Sequence, residues 1–302
     1  MKTVKFKKIT WIDFSDPTED DLIYLNENFD IHPLALEEFT TPTIRPTATK
    51  YNNCIFLTVH IPLFNTENRT TYPGELDIVI TNTHLITAHK YDIYQLTEFI
   101  DELSKSEGKR RRYMSNTPAH LLYRLLEVLL ESSFPKLENI SKKLDMIEEN
   151  VFTGKEKEMV FEISVIKRDV LNFRRTLKPQ RSVIESLTHM KTRIIPLSLY
   201  PYFQDLIGTN IRLWNTLDSI KETIESLEET NNSLLSNKLN LSMKVLTIFS
   251  AVMLPMTVYS NILAMSADIP FGTHPMGFWI HMAIMIVISI FTIIAFKARK
   301  WF

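Results

Sequence analysis

Polar side chains recur on one face of an otherwise apolar segment near the C-terminal end of the sequence. Residues 245–267 contain no charged side chain, yet every third and then fourth position from 240 onward gives a row that is largely polar. We call this row the polar stripe, and it consists of Asn240, Met243, Thr247, Ser250, Leu254, Thr257 and Asn261. Because amide and hydroxyl groups are costly against lipid, the polar stripe of a membrane helix should face protein or water. Such a face could line an axial cavity, in which Met243 and Leu254 would be apolar constrictions that gate by dewetting.

The hydroxyl residues of the stripe also have a simpler interpretation. In membrane helices such hydroxyls often donate to the carbonyl four residues earlier, and small residues help helices to pack. For Thr247, Ser250 or Thr257 taken alone, that interpretation is favoured. The face that they share with two asparagines favours the pore, although Ser260 lies off the stripe.

Two charge-free runs must position the stripe. Residues 245–267 and 276–296 are each long enough to cross ~30 Å of hydrocarbon as a helix. Of the 69 Asp, Glu, Lys and Arg residues, 65 lie at or before Lys244, so a large polar domain precedes a membrane hairpin. The loop between the runs carries Asp268 but no Lys or Arg, whereas basic residues precede the first run and follow the second. By the positive-inside rule, both termini should be cytoplasmic, and the protein a multi-pass protein of the cytoplasmic membrane.

Composition excludes several classes of function. A formal net charge of -1 gives no basic excess to meet nucleic-acid phosphates. The single cysteine, Cys54, rules out an intrachain disulfide and fits a reducing compartment. The sequence has six glycines and neither a glycine-rich phosphate loop nor a paired-cysteine or His-Glu-x-x-His motif, so we expect no enzyme.

The N-terminal third alternates strand and helix signals. Residues 4–14, 55–61, 76–80 and 85–88 read as strands, with prolines and glycines between them. A helix should begin near Asp16, as its cap, and Pro17, in its first turn. Beyond residue 105 the pattern becomes helical, and residues 118–150 and 155–193 look like an antiparallel pair. An α/β domain followed by helices is therefore predicted.

A third, longer helix connects this domain to the membrane. Leucine and isoleucine recur at heptad spacing from Leu213 onward, in continuous register with Val245, Ile248 and Val252. One helix from residue 201 to about residue 263 would be ~95 Å long at 1.5 Å per residue. A single polar face does not enclose water, so a pore with one lining helix per chain requires a symmetric ring of identical subunits.

Several short sequences resemble a known family. Residues 236–240 (Ser-Asn-Lys-Leu-Asn), residues 243–247 (Met-Lys-Val-Leu-Thr) and Pro255 resemble the start of the inner pore helix in the CorA family of magnesium channels. Residues 11–13, 17–19 and 32–37 are similar to that family's cytoplasmic domain, residues 202–205 to the start of its stalk, and residues 297–302 to its basic ending. The resemblance implies a funnel-shaped homopentamer with a cytoplasmic α/β domain that passes hydrated divalent cations passively.

The family's Gly-Met-Asn signature is not retained. It should fall at Ala264, Met265 and Ser266, where only the methionine matches. In the family the asparagine amides form a ring that holds a cation with its water shell, which suits Mg²⁺ because it sheds water reluctantly. The serine hydroxyl leaves a wider ring with weaker acceptors. Ala264 also loses the freedom to turn with φ > 0, at roughly 1 kcal/mol if that geometry is kept.

Three readings of this departure stay open. Asn261, about 7 Å deeper along the helix, can supply a substitute amide ring. Selectivity can have moved to Zn²⁺, Co²⁺ or Ni²⁺, with or without proton coupling. Conduction can have been lost, which would leave a membrane-anchored metal-binding or regulatory protein. We favour transport, because a polar stripe is expensive to keep in a membrane for no purpose.

Other candidate residues lie outside the stripe. By resemblance, Asp205 corresponds to a residue that helps to bind regulatory metal between cytoplasmic domains, although an aspartate near a helix start is often only a cap. Its partner is not identified by the sequence; Asp92 and Asp101 are guesses. Asp268, repeated around a ring, should attract cations at the pore mouth. His281, in the second span, fits either a functional or a packing role.

The prediction is an α+β membrane protein with a cytoplasmic α/β domain and a long helical stalk that continues into the first of two transmembrane helices. Its segments are the α/β domain (1–105), an antiparallel helical pair (106–197), the stalk helix (198–242), transmembrane helix 1 (243–264), an extracytoplasmic loop (265–276), transmembrane helix 2 (277–297) and a basic tail (298–302). We expect a passive channel for Mg²⁺ or a related divalent cation, gated by cytoplasmic metal, whose partners are its own copies, lipid and divalent cations but no nucleic acid. The predicted pore-lining residues are Asn240, Met243, Leu246, Thr247, Ser250, Leu254, Thr257 and Asn261.

Overall fold

The computed structural model of the protein describes residues 1–39, 41–43, 45–114, 116–190, 192–265 and 275–299. It divides into two compact units, Met1–Glu228 and Glu229–Phe302. We call the first the sheet domain and the second the membrane hairpin, and describe each by itself. Ser266, Asp268 and His274 lie outside the described residues.

A six-stranded sheet forms the base of the sheet domain, with spatial order β1-β2-β6-β5-β4-β3. The strands are β1 (Lys2–Phe6), β2 (Ile9–Ser15), β3 (Thr47–Lys50), β4 (Ile55–Asn65), β5 (Thr70–Ile80) and β6 (His84–His89). Neighbouring strands are antiparallel except β2 and β6, which run parallel. The sheet is therefore mixed, as expected for an α/β domain whose strands are joined partly by hairpins and partly by helical crossovers.

Two predictions about the strands were wrong. Residues 4–14 form a hairpin rather than one strand, because the chain reverses at Lys7, whose φ is 54°. The prolines at 62 and 73 do not end strands but lie opposite each other within β4 and β5. They are tolerated because β3 pairs only with residues 55–58 of β4 and β6 only with residues 77–80 of β5. Beyond those ranges no neighbouring strand needs the missing N–H groups.

The helices are α1 (Glu19–Asn28), α2 (Pro33–Glu38), α3 (Tyr94–Lys105), α4 (Glu107–Tyr113), α5 (Pro118–Glu131), α6 (Ser133–Phe152), α7 (Glu156–Leu177), α8 (Gln180–His189), α9 (Tyr200–Met265) and α10 (Gly277–Ala298).

The cap of α1 differs from the prediction. Thr18, rather than Asp16, caps this helix: its backbone N–H donates to Asp21 Oδ2 at 2.9 Å, and Asp21 N–H donates back to Thr18 Oγ1 at 3.4 Å. This is a capping box, and Pro17 lies outside the helix.

The predicted helical pair is divided into four helices. The break between α5 and α6 falls at Ser132, three residues before Pro135, and α8 begins directly after Pro179. In each case proline lacks the N–H that would continue the preceding helix, and its ring crowds the carbonyl four residues earlier. Helices α5 and α7 pack against the central strands.

One hydrophobic cluster of the sheet domain is built from apolar strand residues covered by α1 and α2. Phe14, Phe56, Val79 and Ile86 of the sheet pack with Leu25 and neighbouring residues of these helices, and each is nearly or completely buried. Burying such side chains stabilises the domain by roughly 1.5–3 kcal/mol each. This sheet face therefore fixes where the N-terminal helices lie.

Helices α9 and α10 carry the membrane-spanning segments. Both are long and apolar enough to cross a membrane, and Pro255 is contained within α9 without ending it. The stalk and the first span are thus one continuous helix, 66 residues long. The structure ends these elements within a few residues of the predicted bounds, at Met265 for α9 and Ala298 for α10.

Candidate functional site

The predicted pore-lining residues share one property within the membrane hairpin. All eight are exposed in the single chain, among them Met243 and Leu254 with 62% and 67% of their surface accessible. Periodic spacing along one helix puts the stripe residues on a common side. The stripe is therefore a surface that no element of the described hairpin covers.

Helix α10 packs against a different side of α9. Tyr259 Oη lies 2.8 Å from His281 Nδ1, and the Ser289 hydroxyl donates to Met256 Sδ at 3.1 Å. At about 100° per residue, the α9 positions in these two contacts lie roughly 140–160° around the helix from Asn261. The packing thus leaves the polar stripe facing away from α10.

Ser260, the residue that did not fit the stripe, belongs to this packing surface. Its hydroxyl faces Met285 Sδ at 3.9 Å. Small and hydroxyl residues at helix contacts allow close approach in membranes. The exception noted in the sequence therefore has a structural reason, and it does not weaken the stripe.

The threonine hydroxyls of the stripe donate within their own helix. Thr247 Oγ1 donates to the Met243 carbonyl at 2.8 Å, and Thr257 Oγ1 donates to the Met253 carbonyl at 2.9 Å. The hydroxyl hydrogens of both threonines are thus bonded within the helix, as the simpler interpretation of these residues predicts. Because each hydroxyl oxygen keeps lone pairs, the two residues still offer acceptors on the exposed face.

The asparagines of the stripe differ from the threonines. Neither the Asn240 nor the Asn261 side chain forms a hydrogen bond within the described part of the chain, and both residues are exposed. An amide has two donor hydrogens and an acceptor oxygen. These side chains therefore retain their full hydrogen-bonding capacity for water, an ion or another chain.

The outer end of α9 shows how the altered signature is accommodated. Ala264 and Met265 are the last two residues of the helix and are exposed. Among the described residues, positive φ at non-glycine positions occurs only at Lys7, Asp16 and Arg69. Ala264 is helical, so the strain expected for alanine in a left-handed turn does not arise.

The predicted regulatory residue lies near Tyr123 in the sheet domain. Asp205 is exposed in the first turns of α9, and its charge contributes to the raised pKa of Tyr123, which is caused mainly by burial and by the adjacent Glu127. Asp101 is bound to Lys2 at 2.9 Å, and Asp92 is exposed. No group of three or more His, Cys, Asp or Glu residues able to hold a metal occurs in the portion of the chain that is described.

The sheet domain also holds a buried polar network that the sequence did not suggest. The Thr87 hydroxyl donates to Asp13 Oδ1 at 2.5 Å and accepts from Trp11 Nε1 at 3.0 Å. His89 Nε2 lies 3.5 Å from Asp13 Oδ2. Burial lowers the pKa of His89, but hydrogen bonding and charge from Asp13 outweigh burial and raise it. The network joins residues more than 70 positions apart, so only the strand register of β2 and β6 brings it together.

Comparison with known proteins adds an independent finding. The family described as "CorA-like Mg2+ transporter protein" matches residues 6–298. The cobalt/magnesium transport protein CorA of Thermotoga maritima is 27% identical over 97% of this chain and 83% of its own length. Its counterpart in Methanocaldococcus jannaschii is 26% identical over 97% of this chain and 92% of its own. The complete structure of the M. jannaschii CorA magnesium transporter aligns with a TM-score of 0.83 at 24% identity, covering 100% of this chain and 95% of that chain.

Proposed function

Because the chain belongs to the CorA-like Mg²⁺ transporter family of divalent cation transporters, we propose that it forms a passive channel. In this proposal a homopentamer surrounds an axial pore, and the polar stripes of its α9 helices line it. The fold is that of a full-length CorA structure, and the protein is a membrane protein with two candidate spanning helices. Pentamer, pore and ion path are the parts we propose.

The position of α10 carries the proposal. Because α10 covers the side of α9 that bears Tyr259 and Met256, the polar stripe is left without a partner in the described chain. Exposed amides and hydroxyls are costly in hydrocarbon, so other copies and water must cover them. A ring of copies with the stripes inward satisfies this requirement, whereas lipid does not.

Selectivity in this proposal depends on asparagine. Asn261 replaces the amide ring that Ser266 no longer provides, and it presents carbonyl oxygens to a cation that keeps its water shell. Asn240 forms a second polar ring at the other end of the stripe. Met243, Leu246 and Leu254 form apolar constrictions, and the path is closed to ions when water leaves these constrictions. The conducted ion is Mg²⁺ or a related divalent cation.

Gating in this proposal comes from the cytoplasmic side. Asp205 binds regulatory metal together with carboxylates of a neighbouring copy, and the bridging ions stabilise the closed state. High internal metal then closes the channel, because metal binds the closed arrangement more tightly than the open one. Both termini are cytoplasmic, and Asp268 concentrates cations at the opposite mouth.

A matched pair of substitutions tests the pore. Thr257 of the stripe and Thr292 of α10 both donate their hydroxyl to the carbonyl four residues earlier, at 2.9 and 2.8 Å. Thr257→Leu should reduce Mg²⁺, Co²⁺, Ni²⁺ and Zn²⁺ flux into liposomes by roughly tenfold or more, since it places an apolar ring in the path. Thr292→Leu makes the same chemical change outside the path and should conduct normally.

The outcomes separate the proposal from its rivals. Equal flux in both variants would show that the stripe does not line the path. Absence of flux for every ion in the unmodified protein would favour a non-conducting, metal-binding regulatory protein. Flux that requires a pH gradient would favour a proton-coupled transporter of the same fold, and would replace the passive mechanism.

A further inference from the structure

A cavity of about 340 Å³ lies in the sheet domain, beside the segment that follows α2. Its apolar wall includes Phe39, Pro73 and Tyr91, and its polar wall includes Glu75 and Asp77 of β5. This cavity is large enough for a small organic molecule and has no role in the proposed ion path. Its chemistry is set by which of the polar groups still have bonding capacity.

Most polar groups of the cavity are already engaged. The Thr43 N–H donates to both carboxylate oxygens of Glu75, at 2.9 and 3.1 Å, and the Thr43 carbonyl lies 3.0 Å from His60 Nε2. The two ring nitrogens of His89 contact Asp13 and the Tyr91 carbonyl. These contacts hold the segment after α2 in place beside the cavity.

Asp77 is the exception. Asp77 is only 6% exposed, and its Oδ1 accepts a hydrogen bond from the Thr58 hydroxyl at 2.7 Å. Its Oδ2 has no hydrogen-bond partner among the described residues, and the side chain lines the cavity. Burial raises the pKa of Asp77 to about 7, against the lowering effect of the Thr58 bond; the charges of Glu75 and Glu38 raise it further, and the charge of Lys90 lowers it. Lys90 also lines the cavity, but it forms no ion pair with Asp77 among the described residues, so the carboxylate has no directly bonded counterion there.

We propose that this cavity binds a small organic ammonium ion, with Asp77 as its counterion. An anion fits less well, because the lining carries the two carboxylates of Asp77 and Glu75 against the single ammonium group of Lys90. A bare metal ion is disfavoured because the described residues contain no cluster of three or more His, Cys, Asp or Glu side chains able to hold one. An ammonium group supplies the donors that Oδ2 lacks, and the Phe39 and Tyr91 rings suit its hydrocarbon body and its charge.

The test measures binding of 1,4-diaminobutane to the full chain in detergent micelles by isothermal titration calorimetry, at constant Mg²⁺. Saturable binding at one site per chain is expected, whereas the neutral isostere 1,4-butanediol should not bind. Asp77→Asn keeps an acceptor for Thr58 but removes the charge, and should weaken binding by at least about tenfold. The matched control, Asp101→Asn, removes a surface carboxylate that is bound to Lys2 and should bind as the unmodified protein does.

A second measurement follows the affinity as a function of pH. The ammonium ion binds the ionised form of Asp77, so affinity should rise between about pH 5.5 and about pH 8 and then level off, with most of a proton released on binding near pH 6.5. The other charged or titratable groups around Asp77 are Glu75 and Glu38, His60, His89 and Lys90. Burial lowers the pKa of His60, whereas the Asp13 pair raises that of His89, so loss of the His89 charge also increases affinity for a cation as the pH rises. The profile is therefore repeated with Asp77→Asn, in which the part of the rise that comes from Asp77 should be absent.

Each contrary result would overturn the proposal: no saturable heat, equal binding of the diol, unchanged affinity in Asp77→Asn, or affinity that does not depend on pH. The readout is binding rather than flux. A failure of the channel proposal would therefore leave this result intact, and the reverse is also true.

Discussion

The sheet domain and the membrane hairpin treat polar side chains in opposite ways. In the sheet domain, Asp13, Thr87 and His89 are buried and bonded to one another within a single chain. In the hairpin, Asn240 and Asn261 are exposed and unbonded within the described residues. The difference teaches that the buried network is satisfied within one copy, whereas the amides of the stripe have no partner in the described part of the chain.

The strongest way to break this comparison is to remove a member of the buried network. Asp13→Ala leaves the Thr87 hydroxyl and the His89 ring without their acceptor, so we expect a loss of about 3–5 kcal/mol in the free energy of unfolding. Thermal unfolding of the full chain in detergent, followed by near-ultraviolet circular dichroism, measures it. The control Asp101→Ala breaks only an exposed pair with Lys2 and should unfold almost normally. Equal midpoints for both variants would mean that the network does not stabilise the domain.

Removing an amide from the stripe should have a different kind of effect. Asn261→Ala deletes a side chain that has no partner in the described chain, so the unfolding midpoint should hardly change. Selectivity should change, by about tenfold in the ratio of Mg²⁺ to Ni²⁺ flux, since the substitute amide ring is lost. Liposome flux with each ion measures it, with Ser260→Ala on the α10 side as control. An unaltered ratio would remove Asn261 from the selectivity site.

A substitution at Asp205 tests whether a neighbouring copy contributes metal ligands to the sheet domain. Asp205→Asn should raise the internal Mg²⁺ concentration needed to halve the flux by several-fold, about 1 kcal/mol in coupling free energy. Flux from liposomes loaded with graded Mg²⁺ gives this value. Asp145→Asn, which neutralises an exposed carboxylate of α6, is the matched control. If the two variants respond alike, Asp205 is only a residue near a helix start.

The smallest effect concerns the contact between the Tyr259 hydroxyl of α9 and the His281 ring of α10. Tyr259→Phe removes the hydroxyl that lies 2.8 Å from His281 Nδ1. Hydrogen bonds between membrane helices are worth about 0.6 kcal/mol on average, so the midpoint should fall slightly. Flux should be retained, because this contact lies away from the stripe. A loss of flux with an unchanged midpoint would instead give Tyr259 a direct part in conduction.

The sequence predicted the hairpin better than the sheet, for a physical reason. The spans and the stripe follow from local periodicity and from the absence of charge, which do not depend on distant residues. The Thr87–Asp13 bond and the cavity at Asp77 depend on strand register, which one sequence does not reveal. The same limit explains why the prolines of β4 and β5 were read as strand ends: their tolerance depends on where neighbouring strands stop.

The starts and breaks of the helices were also predicted only in part. The position of α1 was predicted to within a few residues, but its cap was assigned to Asp16, although the Thr18-x-x-Asp21 spacing was visible in the sequence. The breaks at Ser132 and Pro179 were missed because heptad spacing continues across them. The pore-lining role of the stripe, the mouth role of Asp268 and the regulatory role of Asp205 stay predictions.

Pro255 leaves one main-chain acceptor of α9 without its helical donor. Because the ring nitrogen carries no hydrogen, the carbonyl oxygen of Ala251 lacks that bond, so bending the helix at this level costs less than bending it elsewhere. The contacts at Met256 and Tyr259 follow the proline and join the outer part of α9 to α10. A bend at Pro255 would therefore move the outer part of α9 together with α10, and would shift Asn261 relative to Thr247.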